Sequence, residues 1–167
     1  MQFASDEIHT DRLVLRRAQL TDAAAMHAIM SDPIAMRYWS TPPHGELAET
    51  ERWMASMVDA DPATSDDFIV TLNGVLIGKL GAWKLPEIGF LIGRDYWGQG
   101  YAIEAINAFV ERRRALGSAE LNADVDPRNQ ASLTLLKRAG FTETHRASGT
   151  WQVGDELCDS IYLTLVL

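Results

Sequence analysis

The chain is poor in cysteine, in basic residues and in long hydrophobic runs, and each shortage excludes a class of protein. Cys158 is the only cysteine among 167 residues, so no disulfide can form within one chain. Lysine and arginine number 15 against 23 aspartates and glutamates, and the net charge of −8 repels nucleic-acid phosphates. No apolar run is long enough to cross a bilayer, and the N-terminal residues lack an export signal core. We therefore expect a soluble, cytoplasmic protein that binds neither nucleic acid nor membrane.

Histidine is also sparse, and its placement does not indicate a metal site. His9, His27, His44 and His145 have neither the spacing of metal ligands nor cysteine partners. What the chain does contain is ordinary for a globular protein, with 47% hydrophobic and 23% charged residues. Its length favours one domain over residues 1–167, large enough to bury a core.

Local patterns divide the chain into strands and helices. Asn73-Gly74 between two apolar runs is a strong signal for an antiparallel hairpin. We predict strands over residues 13–17, 68–72, 75–83, 85–92, 120–126, 141–146 and 157–167, and helices over residues 23–30, 46–58, 103–116 and 129–139. This order predicts a mixed α/β fold, with a central, mostly antiparallel sheet flanked by about four helices. The arginines at positions 112–114 are expected to end the third helix in solvent.

The most informative segment is WGQGYA, residues 97–102, where a predicted strand gives way to the third helix. Its two glycines leave backbone N–H groups uncovered, and the positive end of the helix favours an anion. A dinucleotide-binding turn would need a third glycine where Ile103 stands, and a P-loop would need a Gly-Lys-Ser/Thr ending that is absent. The segment therefore predicts a site for a phosphorylated cofactor of another kind.

The glycine turn is one of several segments that together resemble a known family. They are TDRLVLR (residues 10–16), EIGF (87–90), YWGQGYA (96–102), NQAS (129–132) and RAGF (138–141). In this order they resemble the GNAT family of N-acetyltransferases, and within it the ribosomal-protein alanine N-acetyltransferases. Trp97 stands where many members have glutamine or arginine, although that branch tolerates an aromatic residue. The resemblance spans essentially the whole chain and implies the family's fold, in which two middle strands of the sheet splay apart.

The resemblance implies acetyl-CoA as cosubstrate and no metal. The diphosphate would lie on the N–H groups of the glycine turn, and the pantetheine arm between strand 87–92 and the strand over residues 120–126. A free N–H near Phe90 would stabilise the charge that develops on the thioester oxygen. The cofactor-binding residues that this implies are Phe90, Leu91, Ile92, Gly98, Gln99, Gly100, Tyr101, Ala102, Ile103 and Asn129. Asn129 is equally suited to cap the following helix.

The same resemblance makes Glu87 and Ser132 the candidates for catalysis. Glu87 would relay the proton of the attacking amine through water; the alternative is a solvated strand residue. Ser132 would hydrogen-bond the departing sulfur, unless it serves only the start of its helix. At pH 7 a lysine-type amine costs about 4.6 kcal/mol to deprotonate and an α-amino group only about 1–1.4 kcal/mol. A base is therefore needed more for a lysine-type amine than for a protein N-terminus.

The sequence leaves the acceptor open. Five aromatic residues could line an acceptor pocket, although at least half of them are expected in the core or on partly covered surface: Tyr38, Trp39, Trp53, Trp83 and Trp151. Tyr38 and Trp39, ahead of two prolines, are the best candidates for its wall. A protein N-terminus and a small amine such as a polyamine both suit the acidic chain. A non-catalytic acyl-CoA-binding module is the alternative from another class, and it would need neither Glu87 nor Ser132. Pairing of the closing strands with a second copy would give a homodimer.

Overall fold

An eight-stranded sheet forms the centre of this computed structural model, which describes residues 6–167. Its strands are β1 (Glu7–His9), β2 (Leu13–Arg16), β3 (Asp66–Leu72), β4 (Val75–Lys84), β5 (Glu87–Ile92), β6 (Glu120–Val125), β7 (Thr142–Val153) and β8 (Glu156–Val166). The α-helices of these residues are α1 (Ala23–Met30), α2 (Leu47–Val58), α3 (Tyr101–Ala115) and α4 (Gln130–Arg138). The strand order is β1-β2-β3-β4-β5-β6-β8-β7, and every pair except β5 with β6 is antiparallel. The predicted α/β fold with a mostly antiparallel sheet is confirmed.

Strand β1 and the full length of β7 differ from the sequence-based prediction. β1 is only three residues long and pairs Ile8 with Leu15, which is too short for an alternating pattern to reveal. β7 continues to Val153, well beyond the predicted end at residue 146. It is an edge strand with nearly all its side chains exposed, so no apolar alternation marks it.

The hairpin between β3 and β4 follows its local signal. Asn73 and Gly74 have φ of 50° and 80°, the left-handed values that the predicted two-residue turn requires. The turn sets Leu72 opposite Val75 and, with one irregularity after Val70, brings Asp67 opposite Gly81. The hairpin thereby places β4, whose side chains alternate between the two faces of the sheet, next to β5.

The sheet opens between its two middle strands. β5 and β6 are paired only at Glu87 and Asn122, where Asn122 N–H donates to the Pro86 carbonyl at 2.9 Å. Beyond that point β5 remains paired with β4, and β6 with β8. A gap therefore begins beside Glu87 and opens toward the carboxyl ends of both strands, from which the chain leads into α3 and α4. This is the splay that the resemblance implied.

Helices cover both faces of the sheet. α3 and α4 pack on one face, in a core that includes Phe68, Phe109 and Leu136. α1 and α2 pack on the other face through a methionine-rich core with Met26 and Met54 at 0% exposure. Each such side chain stabilises the fold by about 1.5–3 kcal/mol. Within residues 6–167, none of the helices combines the length and the apolar character that a membrane crossing requires.

Two arginines at the end of α3 are buried against Asp66 rather than solvated, so that expectation is wrong for them. The side chains of Arg112 and Arg113 are 11% and 15% exposed and lie 3.0 and 2.9 Å from Asp66 Oδ2. Arg17 adds a third guanidinium, 2.9 Å from Asp66 Oδ1. The sequence pattern of the helix could not reveal this, because the buried carboxylate belongs to β3. Arg114 lies at the surface, as expected.

Asp66 should stabilise the fold as a carboxylate. Burial alone would raise the pKa of Asp66, but the hydrogen bonds from Arg112, Arg113 and Arg17 outweigh burial and hold the pKa below its ordinary value. Such a group stabilises the protein above its unfolded-state pKa of about 3.9 and loses this effect as the pH falls through the lower folded-state pKa. We expect Asp66→Asn to lower the free energy of unfolding by about 3 kcal/mol at pH 7, since three guanidinium groups lose their charged partner.

Urea unfolding of both proteins between acidic and neutral pH tests this. The difference in free energy of unfolding should be constant near neutral pH and should shrink below about pH 4. Asp11→Asn is a matched control, because Asp11 is exposed and makes no polar contact within residues 6–167. A deficit that does not depend on pH, or no deficit, would contradict this role of Asp66.

Candidate functional site

The turn before α3 presents a row of backbone N–H groups. Gly98 and Gly100 have φ of 72° and 82°, values that side-chain-bearing residues rarely adopt, and Gly100 is the N-cap of α3. No acceptor within residues 6–167 takes the N–H groups of residues 98–100, and residues 101–103 form the first helical turn, whose N–H groups lack helical acceptors. A Cβ at Gly98 would meet nothing within 4 Å, so the surface above it is open. The turn thus offers an anion both donors and the positive end of a 15-residue helix.

Arg12 holds this turn from the start of the chain. Its Nη1 donates to the Gln99 carbonyl at 2.9 Å, and its Nη2 lies 2.6 Å from Glu104 Oε2. The guanidinium also lies over the Tyr101 ring, 4.4 Å from its centroid. These contacts fix the turn and place a cation beside its N–H groups.

Trp97 ties the same turn to the end of β5. Its indole N–H donates to the Ile92 carbonyl at 2.7 Å. Trp97, which stands where many members of the resembled family have glutamine or arginine, therefore has a structural contact of its own. It fixes the distance between the N–H row and the gap in the sheet.

Unpaired main chain lines the gap between β5 and β6. Gly93 N–H donates to the Ile77 carbonyl of β4 at 2.8 Å. Because successive N–H groups of a strand alternate in direction, those of Phe90 and Ile92 point away from β4, into the gap. An extended ligand could pair with this edge as an added strand would.

Asn129 and Ser132 lie at the start of α4, which follows β6 across the gap. Asn129 Oδ1 accepts a hydrogen bond from Ser132 N–H at 3.2 Å, so Asn129 does cap this helix. The half-buried Ser132 hydroxyl makes no hydrogen bond within residues 6–167 and is available to a ligand. Since β5 and β6 are parallel, both helix N-termini lie toward the open end of the gap.

A cleft of about 590 Å³ lies on the α1–α2 side of the sheet. Its aromatic walls are formed by Tyr38, Trp39, Trp53, Trp83 and Trp151. Glu87 and Gly89 of β5 and Asp124 of β6 reach it from the sheet. The structure thus brings together the predicted residues Tyr38, Trp39 and Glu87, while the glycine turn, Asn129 and Ser132 lie outside the cleft. The volume suits a small molecule or the end of a peptide.

Glu87 shares the floor of the cleft with a second carboxylate. The side chain of Glu87 is accessible from the cleft, yet desolvation by the surrounding walls and the charge of Asp124 raise the pKa of Glu87 above its ordinary value. A carboxylate with a raised pKa is a better proton acceptor.

Within residues 6–167, no group of three or more histidines, cysteines or acidic residues is arranged to hold a metal ion.

Asp124 has one oxygen bound and one free. Its Oδ2 accepts a hydrogen bond from the indole N–H of Trp151 at 2.6 Å. Its Oδ1 is the only buried side-chain nitrogen or oxygen of residues 6–167 without a hydrogen-bond partner. A buried carboxylate oxygen without a donor is costly, so this atom needs a partner that the described chain does not supply.

The loop over residues 31–45, which carries part of the aromatic wall, is fixed to the helices. The hydroxyl of Thr50, fully buried on α2, lies 2.7 Å from Nδ1 of both His27 and His44. A hydroxyl has one proton, so it donates to one imidazole and accepts from the other. Met36 anchors the middle of the loop in the core at 1% exposure. The aromatic wall is therefore held by packing on both sides.

Arg12 and Asp124 were not among the residues predicted for the site. Asp124 could have been found, because the alternation of the strand over residues 120–126 sets it on the face opposite the core residues. Arg12 belongs to a segment that resembles the family, but no sequence pattern predicts its contact with the turn. Trp151 was one of the five aromatic candidates for the acceptor pocket, and it reaches the cleft from an exposed edge strand.

Fold and sequence both match known acetyltransferases. Residues 12–142 match the sequence model of the acetyltransferase (GNAT) domain. The uncharacterised N-acetyltransferase YoaA of Bacillus subtilis is 31% identical over 148 residues, which cover 80% of this chain and 81% of YoaA. A Salmonella typhimurium acetyltransferase that modifies the N-terminal serine of ribosomal protein L7/L12 has a TM-score of 0.84 at 16% identity, covering 95% of this chain and 96% of that one. Spermidine N-acetyltransferase of Vibrio cholerae, solved with CoA and spermine, has a TM-score of 0.80 at 19% identity, covering 94% and 96%.

The charge of Asp124 should be measurable at Glu87. We expect Asp124→Asn to lower the pKa of Glu87 toward its ordinary value, because the neutral amide removes the repulsion and leaves only desolvation. Carbon-detected NMR titration of the side-chain carboxyl groups gives this pKa directly. Glu120→Gln, an exposed change on the same strand, is the control and should leave it unaltered. An unchanged Glu87 pKa in Asp124→Asn would show that the two carboxylates do not interact.

Proposed function

The chain belongs to the GNAT acetyltransferase family, and from this premise we propose that it transfers the acetyl group of acetyl-CoA to a primary amine held beside Glu87. One observation carries the proposal. The gap lined by N–H groups ends at Glu87, where the carboxylate-lined cleft begins. A thioester entering through the gap and an amine entering through the cleft would therefore meet at this residue.

The donors and the charge of the gap suit acetyl-CoA. The N–H groups of residues 98–103 would bind its diphosphate, with about 1.5–3 kcal/mol from each charge-assisted hydrogen bond. Arg12, whose side chain is 43% exposed, holds the turn at the same place, and Glu104 balances its charge. The pantetheine arm would pair with the edge of β5 at Phe90 and Ile92.

The reaction requires no covalent bond to the protein. The amine nitrogen attacks the thioester carbon, a C–N bond forms, the C–S bond breaks, and CoA leaves as the thiolate. Glu87 accepts the proton that the amine loses, directly or through a water molecule. The N–H of Phe90, directed into the gap, would stabilise the charge that develops on the thioester oxygen.

The leaving sulfur would be stabilised from α4. The free hydroxyl of Ser132 lies at the start of this helix, across the gap from β5. A serine hydroxyl is a weak acid, so its role would be to donate a hydrogen bond to the departing thiolate rather than to transfer a proton fully. The positive end of α4 would favour the same negative charge.

The cleft favours a cationic acceptor. Glu87 and Asp124 form no ion pair with any cation of residues 6–167, and their charges are available to an ammonium group. The aromatic walls favour such a cation as well. Both acceptor types that the sequence left open fit, and similar structures include an enzyme for an N-terminal serine and one for spermidine.

A thiol-release assay tests the proposed function. Purified protein and acetyl-CoA are combined with a peptide bearing a free N-terminus, an N-acetylated peptide with one lysine, and spermidine. We expect amine-dependent release of CoA with at least one of them. Tight binding of acetyl-CoA without release for any amine would identify a non-catalytic acyl-CoA-binding module instead.

Removing one N–H donor from the glycine turn should weaken cofactor binding. Ala102→Pro deletes a single N–H in the first turn of α3, where proline is tolerated because these groups have no helical partner. We expect the Kd of acetyl-CoA, measured by calorimetry, to rise by about tenfold or more, equivalent to one charge-assisted hydrogen bond.

Ala48→Pro is the matched control for this change. Ala48 is also the second residue of its helix, on α2 and away from the turn. It should report any cost of proline to the fold while leaving the Kd of acetyl-CoA unchanged. Equal affinity of both variants for acetyl-CoA would remove the turn from the binding site.

Glu87→Gln should impair proton removal from the amine. We expect kcat/KM to fall by about 100-fold or more at pH 7, the usual effect of losing a general base. In the wild type, kcat/KM should decrease as the pH falls through the raised pKa of Glu87, since only the carboxylate accepts a proton. The variant should lose this limb of the profile and keep the one that belongs to the amine. Glu51→Gln, an exposed change on α2, is the control; the same profile in Glu87→Gln as in wild type would exclude Glu87 as the base.

A further inference from the structure

Trp151 connects the hairpin formed by β7 and β8 to the floor of the cleft. Its indole N–H donates to Asp124 Oδ2 at 2.6 Å, and its ring forms part of the cleft wall. Trp151 lies beyond residues 12–142, the span that matches the family model. The contact joins the acceptor side of the site to an edge of the sheet.

An irregularity in the hairpin gives Trp151 this position. Between the pairs Ala147–Ser160 and Trp151–Cys158, β7 has three residues where β8 has one. Such a bulge bends the strand and redirects the side chains that follow it. The glycine within the bulge takes φ of 63°, a conformation that favours glycine. The backbone of the hairpin is thus shaped so that Trp151 of β7 contacts Asp124 of β6, although β8 lies between these two strands in the sheet.

The chemistry of the contact suits positioning. An indole N–H can only donate, so it orients a carboxylate without competing for the proton or for a cation. With Oδ2 of Asp124 engaged, the carboxylate cannot rotate freely, and its buried Oδ1 is left as the acceptor without a partner. The fixed charge of Asp124, which lines the cleft, then attracts an ammonium group next to Glu87, whose pKa the same charge raises.

We propose that Trp151 is a positioning residue for the acceptor, holding Asp124 so that its charge attracts the ammonium group beside Glu87. This rests on the proposed acetyl transfer. It assigns to the hairpin a part in selecting cationic acceptors, separate from the binding of acetyl-CoA. The ring of Trp151 forms part of the cleft wall, and its N–H orients the carboxylate of Asp124.

The kinetic test uses Trp151→Phe, which keeps an aromatic wall and removes the N–H. With the panel amine that the wild type acetylates fastest, we expect the acceptor KM to rise by about tenfold while kcat changes by less than about twofold. The acidic limb of kcat/KM should move to lower pH, because the charge of Asp124 beside Glu87 is no longer fixed. The substitution leaves in place the other charged groups that line the cleft: Arg37, Asp67, Lys79, Lys84, Asp126, Glu156 and Asp159. Gln152→Ala, the adjacent residue outside the cleft, should leave all three values unchanged.

A double-mutant cycle separates positioning from packing. If Trp151 acts through Asp124, adding Trp151→Phe to Asp124→Asn should raise KM no further than Asp124→Asn alone. Independent, multiplying effects would show that Trp151 acts only as a wall and would overturn the proposal. Unchanged KM and pH profile in Trp151→Phe would overturn it as well.

NMR of the cofactor-free protein gives a readout that does not need activity. The indole N–H signal of Trp151, identified by its loss in Trp151→Phe, should shift in Asp124→Asn and stay in place in Gln152→Ala. If the Trp151 indole N–H signal has the same position in Asp124→Asn as in the wild type, the proposal is overturned, whatever reaction the protein catalyses. If no panel amine is acetylated while the signal does depend on Asp124, the proposed function has failed; the contact is then real, and its role in acceptor binding is contradicted.

Discussion

The absence of main-chain pairing between β5 and β6 beyond Glu87 and Asn122 is the constraint on which the site depends. A continuous ladder there would bury the N–H groups of Phe90 and Ile92 in sheet hydrogen bonds. Because the ladder stops, these groups stay available, and unpaired main-chain donors favour a ligand that can pair with them. The same last pair sets Glu87 at the junction between the gap and the cleft. One interruption of the sheet thus creates both the proposed path of the cosubstrate and the point where chemistry is proposed.

The charged side chains around this junction differ in whether they form ion pairs. Cations of the interior have carboxylate partners: the arginines at the end of α3 meet Asp66, and Lys79 lies 2.8 Å from Asp67 with both side chains 4% exposed. Truncating one member of such a buried pair leaves an uncompensated charge, which makes these pairs costly to disturb. Glu87 and Asp124 are different, because they are neighbours of like charge and neither forms an ion pair within residues 6–167. Six acidic and three basic side chains line the cleft, so its net charge is negative.

Backbone features of this molecule are more predictable from sequence than its side-chain contacts. The turn at Asn73 and Gly74 and the glycine turn before α3 carry local signals, and both were predicted correctly as turns. The edge strand β7 was predicted too short, because a strand exposed on both faces has no apolar alternation. The contact of Trp151 with Asp124 joins residues that are 27 positions apart in the chain and depends on a bulge, so no local sequence pattern predicts it. The resemblance to a family made Glu87 a candidate, but only the structure shows why its pKa is raised, through desolvation and the charge of Asp124 on β6.

The most direct test of this account is a crystal structure of the protein with CoA bound. The account predicts that the diphosphate lies within hydrogen-bond distance of the N–H groups of residues 98–103 and that the pantetheine arm occupies the gap between β5 and β6. The sulfur should then lie near the junction with the cleft at Glu87. CoA bound at another surface, with the gap and the turn both empty, would contradict the account.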